Sequence, residues 1–484
     1  MKLFGTDGIR GVVGEWPLIP EFFLKLGQAA GQVLRTENNT TFVIGRDTRQ
    51  SAVMLQDALT AGLLSSNISV VDIGIIPTSA VSWLVPHIKA EAGVVISASH
   101  NPVQENGIKF FGKSGQKLAE TMEEKIEQLL FDESFQPRPE SNLGRYVDGE
   151  SFSELYNQDL LKEHPFGFLS GLTIVVDCAH GAASYVAPSI FQRAGANVIA
   201  VNASPTGMNI NFNAGSEYVR RSPEKFRELV SQYQANFGLA FDGDADRVIF
   251  VDEEGTLIDG DHMLGFLSRY LNEHGILLER SIVTTSMRNE GLKRFVGSLN
   301  LELHETPVGD KYVVDKLMQL WDKGSKIRKI GLGGEQAGHI ILLDKEHVTG
   351  DGIRTALFVL DAYKESDSHT LAEFAAGVQK LPQIIASAYV GNGKRLDKQE
   401  LQTMETNLLK SYPGLLRANL RYSGTEPLFR IMLESEKSYT EQDLARIATE
   451  ISQKVQKTAN RPDGFLDILN CTRGGLLKIQ SQIQ

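Results

Sequence analysis

Three aspartates alternate with small residues in the segment DGDADR (Asp242–Arg247). Side chains two apart leave a helix in different directions, so this spacing belongs to a tight loop, where the carboxylates of Asp242, Asp244 and Asp246 can converge on one cation. Hard oxygen donors select magnesium or a similar ion over zinc. The loop lacks the distal glutamate of an EF-hand, and Arg247–Val251 (RVIFV) returns at once to a strand.

A second segment, SASHNP (Ser97–Pro102), follows a short apolar run and presents Ser99 beside His100. A serine hydroxyl is a weak nucleophile until it is activated. Taken alone, Ser99 reads equally as a turn or cap hydroxyl. The nearest motif-borne cations are Arg10, in GTDGIRG (Gly5–Gly11), and Lys109, in NGIK (Asn106–Lys109). Lysine set among other cations can have a lowered pKa, which makes Lys109 a candidate acid/base. RYSGTEPLFR (Arg421–Arg430) supplies Arg421 and Arg430, the hydroxyls of Ser423 and Thr425, and flexible Gly424. Turn amides with paired guanidinium groups form an anion clamp. GGEQAGH (Gly333–His339) contributes Glu335 and Gln336 on a glycine turn. DCAHGA (Asp177–Ala182) lacks dinucleotide-binding spacing and reads as a packing loop.

The elements that must position these loops repeat. Thr41–Gly45, Leu172–Asp177 and Ser281–Thr285 read as buried strands, each followed by a helical stretch and then a second strand: Ser69–Ile73, Asn197–Val201 and Leu301–His304. A proline turn follows each (Pro77, Pro205, Pro307), then another helix and a third strand: Gly93–Ser97, Phe237–Phe241 and Ile327–Leu332. SASHNP, DGDADR and GGEQAGH each follow the third strand. Ligands of open α/β sheets gather at the carboxyl ends of strands, so three such units facing inward make one shared cleft. The expected fold is therefore α/β, with three similar mixed α/β domains (1–155, 156–256, 257–368) and a C-terminal α+β domain (369–461) carrying the clamp. Residues 462–484 form a tail with no assigned role.

A chain of 484 residues is too long for one core. Its 42% hydrophobic and 23% charged content is that of a soluble globular protein. No apolar run reaches membrane-spanning length, and Met1–Arg10 has no signal-like stretch. Two cysteines, Cys178 and Cys471, fit a reducing cytoplasm, and a net charge of −11 disfavours nucleic acid as a general partner.

The five segments, in this order, closely resemble the α-D-phosphohexomutase superfamily, and the GTDGIRG opening looks most like its bacterial phosphoglucosamine mutase branch. The resemblance runs from the first residues to roughly Glu434. It implies that Ser99 carries a phosphoryl group, that an oxygen of that group joins Asp242, Asp244 and Asp246 around Mg2+, and that Arg247, Arg10, His100 and Lys109 surround it. It further implies that Glu335 and Gln336 grip the sugar in two opposed orientations, and that Arg421, Ser423, Gly424, Thr425 and Arg430 hold the idle phosphate. The implied activity is interconversion of glucosamine 6-phosphate and glucosamine 1-phosphate for cell-wall precursors. Glucosamine 1,6-bisphosphate, or glucose 1,6-bisphosphate, would be the intermediate or activator. A glucose or mannose phosphate mutase and a catalytically silent phosphosugar-binding relative are the alternatives. The partner is a small phosphosugar, with no nucleic acid or membrane, and a homodimer is compatible with the reading. Three positions depart from the family pattern: Ala337 stands where serine is usual, AGSEY (Ala214–Tyr218) where Cys-Gly-Ser-Thr-His is usual, and Lys311 where arginine is usual.

Overall fold

The computed structural model describes residues 2–5, 7–36, 40–137, 139, 141–321, 329–391, 393–423 and 426–478. Its first three sheets share one topological core. In the first, the strands run Glu105–Gly112, Ala92–Ile96, Thr41–Arg46, Ser69–Ile75, flanked by Ile9–Val12 and Tyr146–Asp148 at the edges. In the second the order is Val248–Asp252, Phe237–Phe241, Thr173–Asp177, Asn197–Val201, with Leu257–Ile258 added at the edge. In the third it is Ile340–Leu343, Ile330–Gly334, Leu277–Thr285, Glu302–Thr306.

In every sheet the first strand of the unit pairs in parallel with the second and third, and the third turns back antiparallel into a fourth. The reversal between third and fourth strands is where SASHNP, DGDADR and GGEQAGH lie. The sequence repeat is thus a repeat of topology. Central strands are buried on both faces, as parallel pairing demands, and are correspondingly apolar: Ala92–Ile96, Phe237–Phe241 and Ile330–Gly334 have no exposed residue. One apolar core runs continuously through the three units, from Val43 to Val378.

The fourth sheet is antiparallel, in the order Leu415–Tyr422, Leu428–Ser435, Gln383–Tyr389, Leu466–Asn470, and has its own core against the helices Lys398–Ser411 and Glu441–Thr458. Both helices begin with capping boxes, Asp397 with Glu400 and Thr440 with Asp443. Here the structure departs from the sequence reading. Leu466–Asn470, set aside as tail, is the edge strand of this sheet, pairing with Gln383–Tyr389 from Ile384↔Asn470 to Ala388↔Leu466. Beyond it, a turn reaches the second unit: Gly475 N–H donates to Arg220 O at 2.8 Å, and Arg221 pairs with Asp467 at 2.6 Å. The contacts with the second unit lie more than two hundred residues away, and the ladder partners Ile384–Ala388 are also far along the chain, which local pattern cannot reveal.

Candidate active site

Ser99 sits at the tip of the first reversal with φ of 51°, a left-handed conformation that turns its side chain out of the strand direction. Its N–H donates to Ser97 Oγ at 2.9 Å, and its hydroxyl donates to Asp242 Oδ2 at 2.6 Å. The loop is pinned by a residue that motif reading missed. Arg49, 1% exposed, donates to the carbonyls of Ser99, Asn101, Pro102 and Glu105, while Asp47 holds its Nε at 2.9 Å. The only sequence trace of this is the run Asp47-Thr48-Arg49 at the end of a strand. Asn211 Nδ2, from the second unit, adds a bond to Ser99 O at 2.8 Å.

The three aspartates converge as expected. Oxygens of Asp242, Asp244 and Asp246 lie within 4.8 Å of one another, all three residues are buried, and Ala245 takes φ of 58° to make the turn. Asp244 is held by Thr78 Oγ1 at 2.6 Å and Lys109 Nζ at 2.9 Å. The remaining oxygens, Asp244 Oδ1 and Asp246 Oδ1, are buried and accept no hydrogen bond of good geometry, His339 Nδ1 standing 3.5 Å from the second. Buried carboxylate oxygens left in that state are costly, and an oxygen-seeking dication satisfies them. The residues therefore fit magnesium. Burial, with Asp246 and Asp244 alongside, pushes Asp242 well above the usual carboxylate range. Burial would also raise Asp246, but Lys109 and His339 hold it well below that range. The other acid–histidine group among the described residues, Glu163, Asp344 and His347, already contains Arg354, 2.6 Å from Asp344, and ties the second unit to the third.

Lys109 overturns one expectation. Its neighbours are carboxylates rather than cations: Asp244 at 2.9 Å, Asp7 at 3.2 Å and Asp246 at 3.4 Å. Burial would lower its pKa, but these charges hold it well above the ordinary value. Arg10 donates to Ala98 O and Asn101 Oδ1 at 3.4 Å and pairs with Asp7. Burial and the charges of Arg247 and Arg10 keep His100 well below its usual pKa, hence neutral, with Nδ1 3.4 Å from Ser99 Oγ. Arg247 Nε stands 3.9 Å from Asp242 and 3.8 Å from Asp246. Burial opposes charge on His339, yet Asp246 and Asp310 push it up to about 9.

The sugar loop divides. Glu335 accepts from Gly309 N–H at 3.1 Å and stays half-buried at the cleft. Gln336 is not beside it. It is buried, donating to Asp261 Oδ2 and Gln383 Oε1 at 2.7 Å each, on the side facing the fourth sheet. The two side chains therefore take different partners, Glu335 toward Gly309 and Gln336 toward Asp261 and Gln383.

Arg421 and Arg430 are directly paired across neighbouring strands. Burial and the charge of Arg430 lower Arg421 from its ordinary pKa. Two facing guanidinium groups that disfavour each other form a site wanting an anion. Arg430 also pairs with Glu426, and Ser423 Oγ accepts from Glu426 N at 3.2 Å. Gly424 and Thr425 lie outside the described residues. The charge of Arg430 acts on His100 and that of Glu335 on Arg421, so the arginine strands, the Glu335 loop and the Ser99 loop lie near one another. Of the departures from family pattern, Lys311 pairs with Glu120 of the first unit at 2.8 Å, and Glu217 pairs with Arg220 at 2.9 Å.

A serine on an acidic triad, a paired-arginine anion site and three mixed α/β units define a phosphoryl-transfer enzyme of the α/β class. Residues 1–137, 154–255 and 259–381 match the α/β/α domains I, II and III of phosphoglucomutase/phosphomannomutase. The chain belongs to that family, the phosphohexomutases, and is an intramolecular phosphotransferase. It is 44% identical over 444 residues to the phosphoglucosamine mutase of Carboxydothermus hydrogenoformans, covering 90% of this chain and 95% of that one. With its counterpart from Deinococcus deserti it shares 42% over 450 residues, covering 92% and 97%. Among solved structures, a phosphoglucomutase/phosphomannomutase family protein from Burkholderia thailandensis superposes with a TM-score of 0.74 at 21% identity, covering 96% of this chain and 99% of that one. An N-acetylphosphoglucosamine mutase from Aspergillus fumigatus, solved with GlcNAc-6P and magnesium, gives 0.65 at 17%, covering 94% and 96%. Among the described residues no helix is long and apolar enough to cross a membrane.

Proposed function

We propose that this enzyme interconverts glucosamine 6-phosphate and glucosamine 1-phosphate through phospho-Ser99 and a 1,6-bisphosphate. The observation that carries the reading is the Ser99 hydroxyl 2.6 Å from Asp242, at the edge of a carboxylate triad with two unsatisfied buried oxygens. Asp242, Asp244, Asp246 and an oxygen on Ser99 would hold Mg2+, which when bound neutralises charge on the phosphoryl group.

The chain's own groups account for the rest. Phosphoryl transfer breaks the Ser99 O–P bond and forms an O–P bond to a sugar hydroxyl, whose proton is given up as the freed Ser99 oxygen takes one up, and the reverse step restores the serine ester at the other end of the sugar. Little covalent work falls to the protein, so positioning and charge dominate. Neutral His100 lies 3.4 Å from Ser99 Oγ and Asp242 lies 2.6 Å from it, so both are within reach of a proton on that oxygen. Lys109, among the carboxylates of Asp244, Asp7 and Asp246, and Arg247 offset negative charge around it. Glu335 accepts from two neighbouring ring hydroxyls, a grip that serves both orientations of the sugar, while Arg421 and Arg430 hold the phosphate that is not reacting.

Both described cysteines are buried and unbridged, which suits a cytoplasmic enzyme. The preference for the amino sugar rests on the curated relatives, whose shared name is phosphoglucosamine mutase. A coupled assay comparing glucosamine 1-phosphate, glucose 1-phosphate and mannose 1-phosphate tests it. The amino sugar is expected to give the highest kcat/KM, with detectable glucose phosphate turnover because Ala337 leaves out a hydroxyl. Equal or better efficiency with mannose 1-phosphate moves the protein to the sister activity.

A further inference from the structure

Gln383, at the start of the fourth domain's central strand, is fully buried, and its side chain meets two pieces of the third unit at once. Its Oε1 accepts from Gln336 Nε2 at 2.7 Å, and its Nε2 donates to Arg288 O at 3.1 Å and Met287 O at 3.3 Å. Gln336 is the residue after Glu335. Met287 and Arg288 lie just past the carboxyl end of the strand Leu277–Thr285, on the side where ligands collect. The second N–H of Gln336 goes to Asp261, which also accepts from Asn289 N at 3.0 Å.

The other end of this connection is the clamp. Gln383 is in register with Glu434, and four residues along the same ladder Ser387 is in register with Arg430. Arg430 in turn faces Arg421 on the next strand. At about 3.3 Å per residue, the stretch from Gln383 to Ser387 spans roughly 13 Å of continuous antiparallel ladder. Such a ladder moves as one body. A single buried amide pair therefore joins the loop that grips the sugar ring to the strand pair that grips the phosphate.

We propose that Gln383, acting through Gln336, is a positioning residue that sets the span between Glu335 and the Arg421–Arg430 pair. This rests on the reading of Glu335 and the arginines given above. Ring and idle phosphate belong to one molecule, so both grips can be satisfied together only if their separation matches the substrate. The same separation must serve both orientations of the sugar. Other contacts hold the domains together without Gln383. Arg294 pairs with Glu436, Arg417 donates to Arg288 O at 2.8 Å, and Lys380 pairs with Asp259. Loss of the amide pair should therefore alter the fit of the two grips rather than detach the domain.

The test compares two reactions in Gln383→Leu, Gln336→Leu and the double variant. One is mutase turnover of glucosamine 1-phosphate, which needs both grips. The other is discharge of phospho-Ser99 to free glucosamine, which has no second phosphate and needs only the sugar grip. Either single variant is expected to lower mutase kcat/KM by roughly ten- to a hundredfold, the scale of a misplaced substrate, while discharge to the free sugar stays near wild type. The double variant should lose less than the product of the two single losses, because both changes cut the Gln336–Gln383 bond while each also removes bonds of its own. A parallel fall in the two reactions would make Gln383 a plain structural residue and overturn the proposal, as would unchanged mutase turnover. Gln336→Leu cuts the same contact from the other side should Gln383→Leu fail to fold. Arg421→Ala serves as the control for the underlying reading: if it spares mutase turnover, the clamp assignment fails and this proposal falls with it. If it impairs turnover while the glutamine variants do not, only the present proposal falls.

Discussion

Ser99 Oγ and Asp242 Oδ2 lie 2.6 Å apart although 143 residues separate them in the chain. The contact joins the reversal of the first unit to that of the second. It places a hydroxyl where a metal-bound carboxylate would otherwise face solvent, and it requires the two sheets to meet at their strand ends. Phosphorylation of Ser99 is the expected consequence of the proposed function at this placement. Purified enzyme should carry one phosphate-sized mass increment, absent in Ser99→Ala together with mutase turnover. Turnover of Ser99→Ala near the wild-type rate would rule out the phosphoserine route.

Asp244 has one oxygen fixed by Thr78 and Lys109 and the other without a partner. Asp244→Asn, or a strong chelator on the wild type, should lower turnover by about two to three orders of magnitude, the scale of losing a preorganised electrostatic group. Magnesium titration by calorimetry should show weaker binding in the variant. Full activity in chelator contradicts the magnesium assignment.

Arg421 is expected to serve whichever phosphate is idle. Arg421→Ala should weaken both the 6-phosphate and the 1-phosphate by roughly 1.5–3 kcal/mol, the worth of a charge-assisted hydrogen bond. That corresponds to about one to two orders of magnitude in affinity. An effect on only one of the two substrates contradicts a shared clamp.

Glu434 gives the third–fourth domain interface a pH dependence. Burial pushes its carboxyl from 4.5 up to about 7, against the opposing effects of Glu290 N–H and Arg417. The folded state therefore holds this proton more tightly than the unfolded chain. The contribution to stability is complete below about pH 4.5 and declines as pH rises toward 7. Glu434→Gln removes the dependence. Its melting temperature relative to wild type should rise between pH 5 and pH 8, by an amount corresponding to about 2–3 kcal/mol. A constant difference across that range contradicts the shifted pKa.

The strand Leu466–Asn470 makes the carboxyl-terminal stretch part of the clamp domain. Truncation after Arg461 turns Gln383–Tyr389 into an exposed edge and removes the Arg221–Asp467 pair. The truncated protein should aggregate or lose protection of residues beyond 381 in limited proteolysis, with mutase activity lost. Wild-type activity and the wild-type digestion pattern would show that the strand is dispensable.

Local pattern alone determined a good part of this protein. The alternation of Asp242, Asp244 and Asp246, the serine of SASHNP and the arginines of RYSGTEPLFR carry their chemistry in residue type and close spacing. The threefold recurrence of strand, helix and strand carries the sheets, because apolar runs of strand length must be buried wherever they occur. Tertiary structure decided what depends on partners far along the chain. It surrounded Lys109 with three carboxylates, where the neighbouring motifs suggested cations. It turned Gln336 away from Glu335, toward Gln383. It buried Arg49 beneath the Ser99 loop and drew Leu466–Asn470 into the fourth sheet. A side chain's type is written in the sequence, but its charge state and direction are set by groups that only folding brings within a few ångströms.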